Sequence, residues 1–474
     1  MDRVPILGHD QGGEALRKRA EPDKSGGPDM PNALLLDEER QTLASRLSGA
    51  RARTDQLFSL VRPGGQALYE RPVPERHRLI FYLGHVEAFD WNLVARQAFG
   101  LPSFNPSLDK LFAFGIDPID GGLPSEAASE WPEEDAVRKY NERVRTLVDD
   151  CLHGSRTPLP GIDLETIFNM AIEHRLMHAE TLAYLLHQMP HAAKLPPDET
   201  RAALRSAHPA PAVIRVVEIP AGTATLGRGR NEPGFGWDNE FESMRVPVPE
   251  FSIDAHKIGN GSFLEFLRDR GYEQRGLWYD AAWEWKERER IRHPQFWRER
   301  DGEWFYSGMF AEIPLPMGAP VYVSHAEASA FARWRKRSLP TEPQFHRAAF
   351  GTPDGSEREY PWGSDAPSER HGNLDLRRWD PEPRGAYPAG DSAFGVSELV
   401  GNGWEWTSSV FAPFPGFRAH PFYEGYSANF FDGEHFVQKG GSPRTAACML
   451  RRSFRNWFQP HYRYAYAGFR LVDR

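Results

Sequence analysis

A proline-rich stretch divides this sequence of 474 residues into two parts of different character. Residues 190–212 read PHAAKLPPDETRAALRSAHPAPA and hold few large apolar side chains, which is typical of a linker. Before this stretch, apolar residues recur at helical spacing. After it, the chain has short apolar runs, dense Gly and Pro, and most of the 14 Trp and 30 Phe. Because the chain is also too long for one ordinary core, the sequence predicts two domains.

The part before the linker, residues 33–192, is predicted to be a bundle of four antiparallel helices. Leu, Ile, Val and Phe recur there at the spacing that places them on one helical face, whereas residues 100–131 are rich in Pro and Gly and indicate a long loop. We expect helices at residues 34–61, 76–99, 132–151 and 163–189.

The rest of the chain has its own expected organisation. Residues 213–474 begin with an alternating, strand-like run and continue with short elements, which predicts an irregular α+β domain. The linker proper is expected at residues 193–212. Residues 1–32 are polar, charged and rich in Gly and Pro, so we predict a disordered leader.

Composition argues against several classes of function. A formal net charge of -9 and a pI near 6.0 argue against a nucleic-acid partner. No apolar run is long enough for a membrane span, and the N-terminal residues lack a secretory pattern, so no membrane partner is expected. Cys151 and Cys448 are the only cysteines, which favours a cytoplasmic protein. A metal site would therefore depend on His and carboxylates.

Three histidines are the candidates for such a site. His174 and His178 are four residues apart in the helix predicted at 163–189, so they share one face. Arg175 follows His174, so the zincin motif HExxH is absent. Glu180 points elsewhere. His85, in FYLGHVEAFDWN, lies on the second predicted helix, and facing side chains converge in a bundle core. Three neutral imidazoles can hold Fe(II) or Zn(II), although each histidine alone is as well explained as a packed core residue.

Several motifs carry a resemblance to a known family. The pattern His174-x-x-x-His178-x-Glu180, preceded by an isolated histidine, resembles the DinB-like domain of ergothioneine-type sulfoxide synthases. Motifs of the second part look like the formylglycine-generating-enzyme fold, which is C-type-lectin-like. The resemblance covers about residues 35–474. These motifs are FGWDNE (235–240), LPTEPQFHRAA (339–349), YPWG (360–363), GNGWEWT (401–407), KGGS (439–442) and RRSFRNWF with GFRL (451–471).

This resemblance implies a reaction and a cofactor. Family members use Fe(II) and O2 to join a sulfur nucleophile to C2 of the imidazole ring of hercynine, which is trimethylated histidine, and the sulfur leaves the site as a sulfoxide. The ligands carried over by motif are His85, His174 and His178. A catalytic tyrosine is also implied. The candidates for it are Tyr360, Tyr423, Tyr426 and Tyr466.

The same resemblance implies substrate contacts, and two departures bear on the donor. Asn402 and Trp404 lie in the family's substrate-facing motif, and Met177 stands where relatives place a Gln that contacts hercynine. Relatives that use γ-glutamylcysteine carry Asp at the position of Asn402 and a pair of Arg after the first histidine, whereas this chain has no Arg between Arg96 and Arg138. These losses favour an uncharged donor, a selenosugar, as in the related selenoneine synthases. Cysteine or γ-glutamylcysteine is the alternative.

Two other functions remain open at this stage. A DinB-like thiol transferase would use zinc in place of iron. A non-enzymatic module would bind a quaternary amine in an aromatic pocket and use its histidines only for packing. Copper chemistry of formylglycine-generating enzymes is disfavoured, because Thr445 and Leu450 replace its two cysteines. We interpret Trp362, Trp406 and Trp457 as packing residues.

Overall fold

The structure is a computed structural model that describes residues 37–64, 66–113, 127–197 and 215–473. The predicted leader at 1–32 and most of the predicted linker at 193–212 lie outside the described residues. Among the described residues, no helix has the length and apolar character that a membrane crossing requires.

Long helices that pack on one another build the first part of the chain. Helix α1 packs on α5, and α2 packs on both α4 and α5. Helix α2 continues into a π-helical segment, Trp91–Ala98. The helices are α1 (Asp37–Ser59), α2 (Leu79–Asp90), α3 (Pro106–Leu111), α4 (Glu134–Leu152) and α5 (Leu164–Gln188).

Local sequence signals explain where these helices begin and end. The Asp163 carboxylate accepts hydrogen bonds from the backbone N–H groups of Glu165 and Thr166, which caps the start of α5. This helix ends at Gln188, shortly before Pro190, because a proline disfavours helical backbone at the residue that precedes it. The short helix α3 lies within the region predicted as a loop, where Asn105 caps it and proline occupies its first position.

The second part combines short helices with four small sheets, which confirms the expected α+β character. The sheets have the strand orders β1-β4-β12, β10-β9-β8-β11, β2-β3 and β5-β6-β7. The strands are β1 (Val216–Ile219), β2 (Gly222–Leu226), β3 (Met244–Val248), β4 (Phe251–Asp254), β5 (Trp297–Arg300), β6 (Glu303–Ser307), β7 (Glu312–Pro314), β8 (Trp404–Val410), β9 (Phe436–Lys439), β10 (Asn456–Phe458), β11 (Ala467–Gly468) and β12 (Val472–Asp473). The helices are α6 (Asn260–Arg268), α7 (Asp280–Arg288), α8 (His325–Trp334) and α9 (Glu342–Phe350).

Strands distant in sequence close the sheets of this part. The last strand, β12, pairs antiparallel with β4, so that Val472 lies opposite Ile253. Strand β11 pairs parallel with β8, with Ala467 opposite Trp404. One buried apolar cluster runs through both parts of the chain, so the helices and the sheets share a core. Side chains at this boundary therefore belong to both parts.

Candidate metal centre

Three buried imidazoles meet between α2 and α5. His85 lies on α2, and His174 and His178 lie one turn apart on α5. Each offers one ring nitrogen, and these nitrogen atoms all lie within 4.8 Å of one another. The structure thus brings together the histidines that the sequence singled out; that they hold a metal stays a prediction.

A hydrogen bond orients His85, and the Nε2 atoms of the other two imidazoles lie close to each other. The Nδ1–H group of His85 donates to the backbone oxygen of Phe112 at 2.6 Å, which leaves Nε2 of His85 as the ligand atom. This Nε2 has no hydrogen-bond partner among the described residues. The Nε2 atoms of His174 and His178 are 3.2 Å apart. Nitrogen atoms that converge in this way, with an orphaned acceptor among them, fit a cation bound between them.

A glycine allows this arrangement on α2. A Cβ atom at Gly84 would lie 2.5 Å from the ring of Phe112, so any larger residue would push that ring away. The backbone oxygen of the same Phe112 fixes the orientation of His85. Gly84 therefore lets the chain approach α2 closely enough to orient a predicted ligand.

Burial keeps the three imidazoles neutral. It lowers the pKa of His85 to about 4, even though the hydrogen bond to Phe112 opposes the shift. Burial and the neighbouring imidazole also hold the pKa of His174 and of His178 well below the usual value of histidine. Neutral imidazole is the form that binds a metal ion, so the site is ready for one at neutral pH.

Buried charges fix the two ligand-bearing helices to each other. Arg175, next to His174 on α5, donates to both carboxylate oxygens of Glu87 on α2, at 2.9 and 2.8 Å, and to Asp90 at 2.5 Å. Burial alone would raise the pKa of Glu87, but Arg175 and Arg145 lower it to about 2. Since the pair is bidentate and fully buried, it sets the distance between α2 and α5.

Aromatic rings enclose the imidazoles. The ring of Phe89 stacks on His174 with centroids 3.4 Å apart, and the ring of Phe81 stacks on His85 at 4.8 Å. Tyr423, from the second part, lies with its ring 6.1 Å from that of His174. A groove of about 700 Å³ reaches His85 and is lined by Phe89 and Tyr423 as well. The second part therefore contributes to the wall of the candidate centre.

A separate cavity of about 150 Å³ lies beside α5 at Met177, the residue before His178. Its walls are mainly aromatic, with the guanidinium groups of Arg76 and Arg455 and the carboxylate of Glu180 as its charged groups. The aromatic residues that line it are Tyr184, Trp404, Tyr426, Trp457, Phe454 and Phe458.

Two of the predicted substrate contacts line this cavity and one does not. Met177 and Trp404 are in its wall, and the Tyr426 hydroxyl donates to Met177 Sδ at 3.3 Å. Asn402 is fully buried elsewhere, where its side chain bonds the backbone of Glu382 and the amide of Asn373. The side chain of Asn402 is thus engaged within that loop, and its contact with substrate stays a prediction.

The four tyrosine candidates also lie in different places. Tyr423 and Tyr426 lie on the side of the imidazoles. Tyr360 stacks on Trp362, and the Tyr466 hydroxyl lies 3.1 Å from Nδ1 of His187. Only the first pair is therefore placed to take part in chemistry there.

Two glutamates on α5 were not anticipated as anchors. Glu173 is bonded by Arg451 at 2.7 and 3.0 Å and by Nε1 of Trp237 at 2.8 Å. Glu180 is bonded by Trp404 and by hydroxyl groups of the second part. The spacing of both residues around the histidine pair was visible in the sequence, but their partners lie far along the chain. Trp457, expected to serve packing, also lines the aromatic cavity.

The chain is similar to several known proteins. Residues 202–474 match the family described as Sulfatase-modifying factor enzyme 1-like domain. The chain is 32% identical to the hercynine oxygenase of Mycobacterium tuberculosis, over 91% of this chain and 98% of that protein. It is 34% identical to the hercynine oxygenase of Mycolicibacterium smegmatis, over 91% and 99%. Ergothioneine biosynthesis protein 1 of Neurospora crassa is 27% identical, over 86% of this chain and 55% of that protein.

Proposed function

This chain belongs to the family of ergothioneine-type sulfoxide synthases, and we propose that it is an Fe(II)- and O2-dependent enzyme that bonds a chalcogen atom to C2 of the imidazole ring of hercynine. One oxygen atom of O2 ends in the selenoxide or sulfoxide conjugate and the other in water. The observation that carries the proposal is the cluster of neutral imidazoles beside an aromatic cavity. In this proposal the helical part is of the DinB-like type and the favoured donor is a selenosugar.

His85, His174 and His178 would hold the iron. Their neutral, buried nitrogen atoms suit a divalent metal and leave further coordination positions open. Bound Fe(II) supplies the redox chemistry that lets O2 act as the oxidant for an unreactive ring C–H bond. The protein contributes the orientation of the ligands, through Phe112 and the Arg175–Glu87 pair.

The aromatic cavity beside Met177 is the proposed hercynine site. Faces of Trp and Tyr rings attract a quaternary ammonium group, and the walls of this cavity offer several of them. Arg76 and Asn456, in the same wall, are suited to the carboxylate of the amino acid. In this proposal a zwitterion held in this way turns its imidazole ring toward the histidines; the cavity lies at Met177, on the same turn of α5 as His178.

Tyr423 is the proposed proton donor. Its ring lies 6.1 Å from that of His174, and the residue lines the groove that reaches His85. A phenol carries its proton at neutral pH, so Tyr423 could deliver it to an oxygen atom of the reacting complex. In this step Tyr423 supplies only its hydroxyl proton.

The groove at His85 is the proposed entry of the donor. Its walls include the amides of Asn92 and Gln97 and the hydroxyl of Ser103, which can bond the hydroxyl groups of a sugar. This supports the selenosugar. Arg96 and Lys110 line the same groove and support the second candidate, a cysteine-type thiol with a carboxylate.

One experiment tests the function and the donor together. Purified protein is loaded with Fe(II) under argon and mixed with hercynine and either selenosugar, cysteine or γ-glutamylcysteine; products are analysed by mass spectrometry after air is admitted. We expect a hercynine conjugate that depends on iron and O2 and forms fastest with the selenosugar. A conjugate that forms only with a thiol would support the second candidate, a cysteine-type donor. Equal product with zinc and without O2 would contradict the oxidative function and favour a thiol transferase.

A further inference from the structure

Glu180 on α5 presents a carboxylate that is held only by neutral groups. Its Oε1 accepts hydrogen bonds from Nε1 of Trp404 at 2.7 Å and from the hydroxyl of Ser442 at 2.5 Å. Its Oε2 accepts from the hydroxyl of Thr445 at 2.7 Å. Each partner donates a hydrogen bond and none brings a charge. Burial raises the pKa of Glu180, and these hydrogen bonds oppose the shift. Because the indole N–H can only donate, the side chain is anchored as an acceptor, and the bonds do not compensate the negative charge of the ionised carboxylate.

The other anchoring glutamate of the helix gives a direct comparison. Glu173 forms an ion pair with Arg451. No ion pair among the described residues includes Glu180. Arg444 exerts a favourable Coulomb effect on Glu180, but its own Nη1 donates to the backbone oxygens of Leu376 and Arg378. Glu173 and Glu180 lie on the same helix and both accept hydrogen bonds from the second part, but only Glu173 is paired with a cation.

The uncompensated carboxylate lines the aromatic cavity. Glu180 is only partly buried, and the cavity wall contains it together with Trp404, Tyr426 and Trp457. The cations of the same wall have other partners: Arg76 donates to the Tyr462 hydroxyl, and Arg455 pairs with Glu342. A carboxylate removed from water without a bound cation is costly in free energy. A cation that enters the cavity would offset that cost, and ring faces beside it would add their own attraction.

We propose that Glu180 is a specificity-determining residue whose carboxylate supplies the counter-charge for a quaternary ammonium group in the aromatic cavity. The proposal rests on the proposed function, since hercynine is the ligand that brings this cation. Aromatic walls alone would also accept a neutral group of the same shape, such as tert-butyl. The carboxylate is what makes the site prefer the charged ligand over the neutral isostere.

The test compares two ligands that differ only in charge. Hercynine and its analogue with C(CH3)3 in place of N(CH3)3 are titrated calorimetrically into the wild type, Glu180→Gln and Ser442→Ala. Glu180→Gln keeps the acceptor for Trp404 and removes the charge, whereas Ser442→Ala removes one donor and keeps the charge. We expect the wild type to prefer hercynine by about tenfold or more. This preference should be lost in Glu180→Gln and kept in Ser442→Ala.

The outcomes separate this proposal from the proposed function. A wild type that binds both ligands equally, or a Glu180→Gln variant that keeps the preference, would overturn it. An equal loss for both ligands would mean that Glu180 only orients Trp404, which also overturns it. If Glu180→Gln does not fold, Glu180→Met replaces it in the same titrations. If the wild type does not bind hercynine, tetramethylammonium becomes the probe. Binding of tetramethylammonium that is abolished in Glu180→Gln would uphold the role of Glu180 and reject hercynine as the substrate. No binding of tetramethylammonium would reject the role of Glu180 as well as the proposed substrate.

Discussion

At the scale of single residues, Tyr423 is a side chain of the second part that lies close to the candidate metal centre. Its ring is 5.3 Å from that of Phe89 and 6.1 Å from that of His174, and it lines the groove that reaches His85. Tyr426, three residues later, stacks on Trp237 with centroids 4.0 Å apart. The two tyrosines therefore lie in different places: Tyr423 is near the imidazoles, and Tyr426 belongs to the cavity wall.

Replacement of Tyr423 by Phe tests the proton-donor role. The ring and its packing remain while the hydroxyl proton is lost, so kcat should fall about 100-fold or more, and KM for hercynine should change less than about threefold. Steady-state product formation measures both constants. Tyr360→Phe is the matched control, since Tyr360 stacks on Trp362 outside the site, and it should match the wild type. A Tyr423→Phe variant with wild-type kcat would rule out the role.

Single residues also show where sequence reasoning succeeded and where it stopped. The spacing of His174 and His178 predicted a shared face, and the structure has both rings in one cluster with His85. The role of Glu180 was missed because its partners Ser442 and Thr445 follow more than 260 residues later. No local pattern reports a hydrogen bond across that distance. The contact of Asn402 was inferred from resemblance alone, and the structure directs that side chain to a neighbouring loop.

At the scale of elements, the geometry of the centre depends on how α2 and α5 are joined. Arg175, Glu87 and Asp90 are all fully buried at that junction. Arg145 of α4 also bonds Glu87, at 2.8 and 2.6 Å, so three helices meet at one carboxylate. Because one ligand is on α2 and two are on α5, any slip between these helices would separate the ligand atoms.

Replacement of Arg175 by Met should destabilise the helical part strongly. It would leave Asp90 and Glu87 buried with less compensation, a change that typically costs about 3–5 kcal/mol of the free energy of unfolding. Urea unfolding of the metal-free protein measures this. Arg138→Met is the control, because Arg138 pairs with Glu134 on the exposed face of α4 and such pairs contribute about 0.5 kcal/mol or less. Equal stability of the two variants would contradict the proposed clamp.

Elements differed in how well the sequence predicted them. The helix expected at 163–189 is observed as Leu164–Gln188, since its apolar period and its Asp163 cap agree. Helix α3 was missed because the Pro and Gly content around it outweighed the Asn105–Pro106 start signal. Such a signal is local and was present in the sequence.

At the scale of the whole molecule, the second part forms hydrogen bonds with α5 at two points, one on either side of the histidine pair. Glu173 is bonded by Arg451 and Trp237, and Glu180 by Trp404. Trp237 in turn stacks on Tyr426, whose hydroxyl donates to Met177. This chain of contacts fixes the aromatic cavity relative to the metal ligands.

Replacement of Arg451 by Met tests this coupling. Glu173 and Glu240 would lose a shared cation, so the contact between α5 and the cavity wall should loosen. We expect the affinity for hercynine to fall about tenfold and the affinity for Fe(II) to change less than about threefold, because the ligands themselves lie on α2 and α5. Calorimetry and chelator competition measure the two. Arg452→Met is the control, since Arg452 pairs with Glu357 within the second part. Unchanged hercynine binding in Arg451→Met would refute the coupling.

The overall architecture was predictable only in part. The change of composition after residue 190 predicted two domains, and the motifs of the second part predicted the α+β character that the structure shows. The sheet order was not predictable, because pairs such as β12 with β4 and β11 with β8 join strands more than 60 residues apart. The sharing of one core by both parts was likewise invisible, since it depends on packing across the boundary.

Electron paramagnetic resonance tests whether His85, His174 and His178 hold Fe(II) beside bound hercynine. The sample is the anaerobic Fe(II)–nitric oxide adduct, with hercynine labelled with ¹⁵N in its imidazole ring. We expect one Fe(II) per chain with hyperfine coupling to the labelled ring, and loss of the signal in His178→Ala. A His178→Ala variant that binds Fe(II) as the wild type does, or a wild-type signal without coupling to the label, would contradict the account.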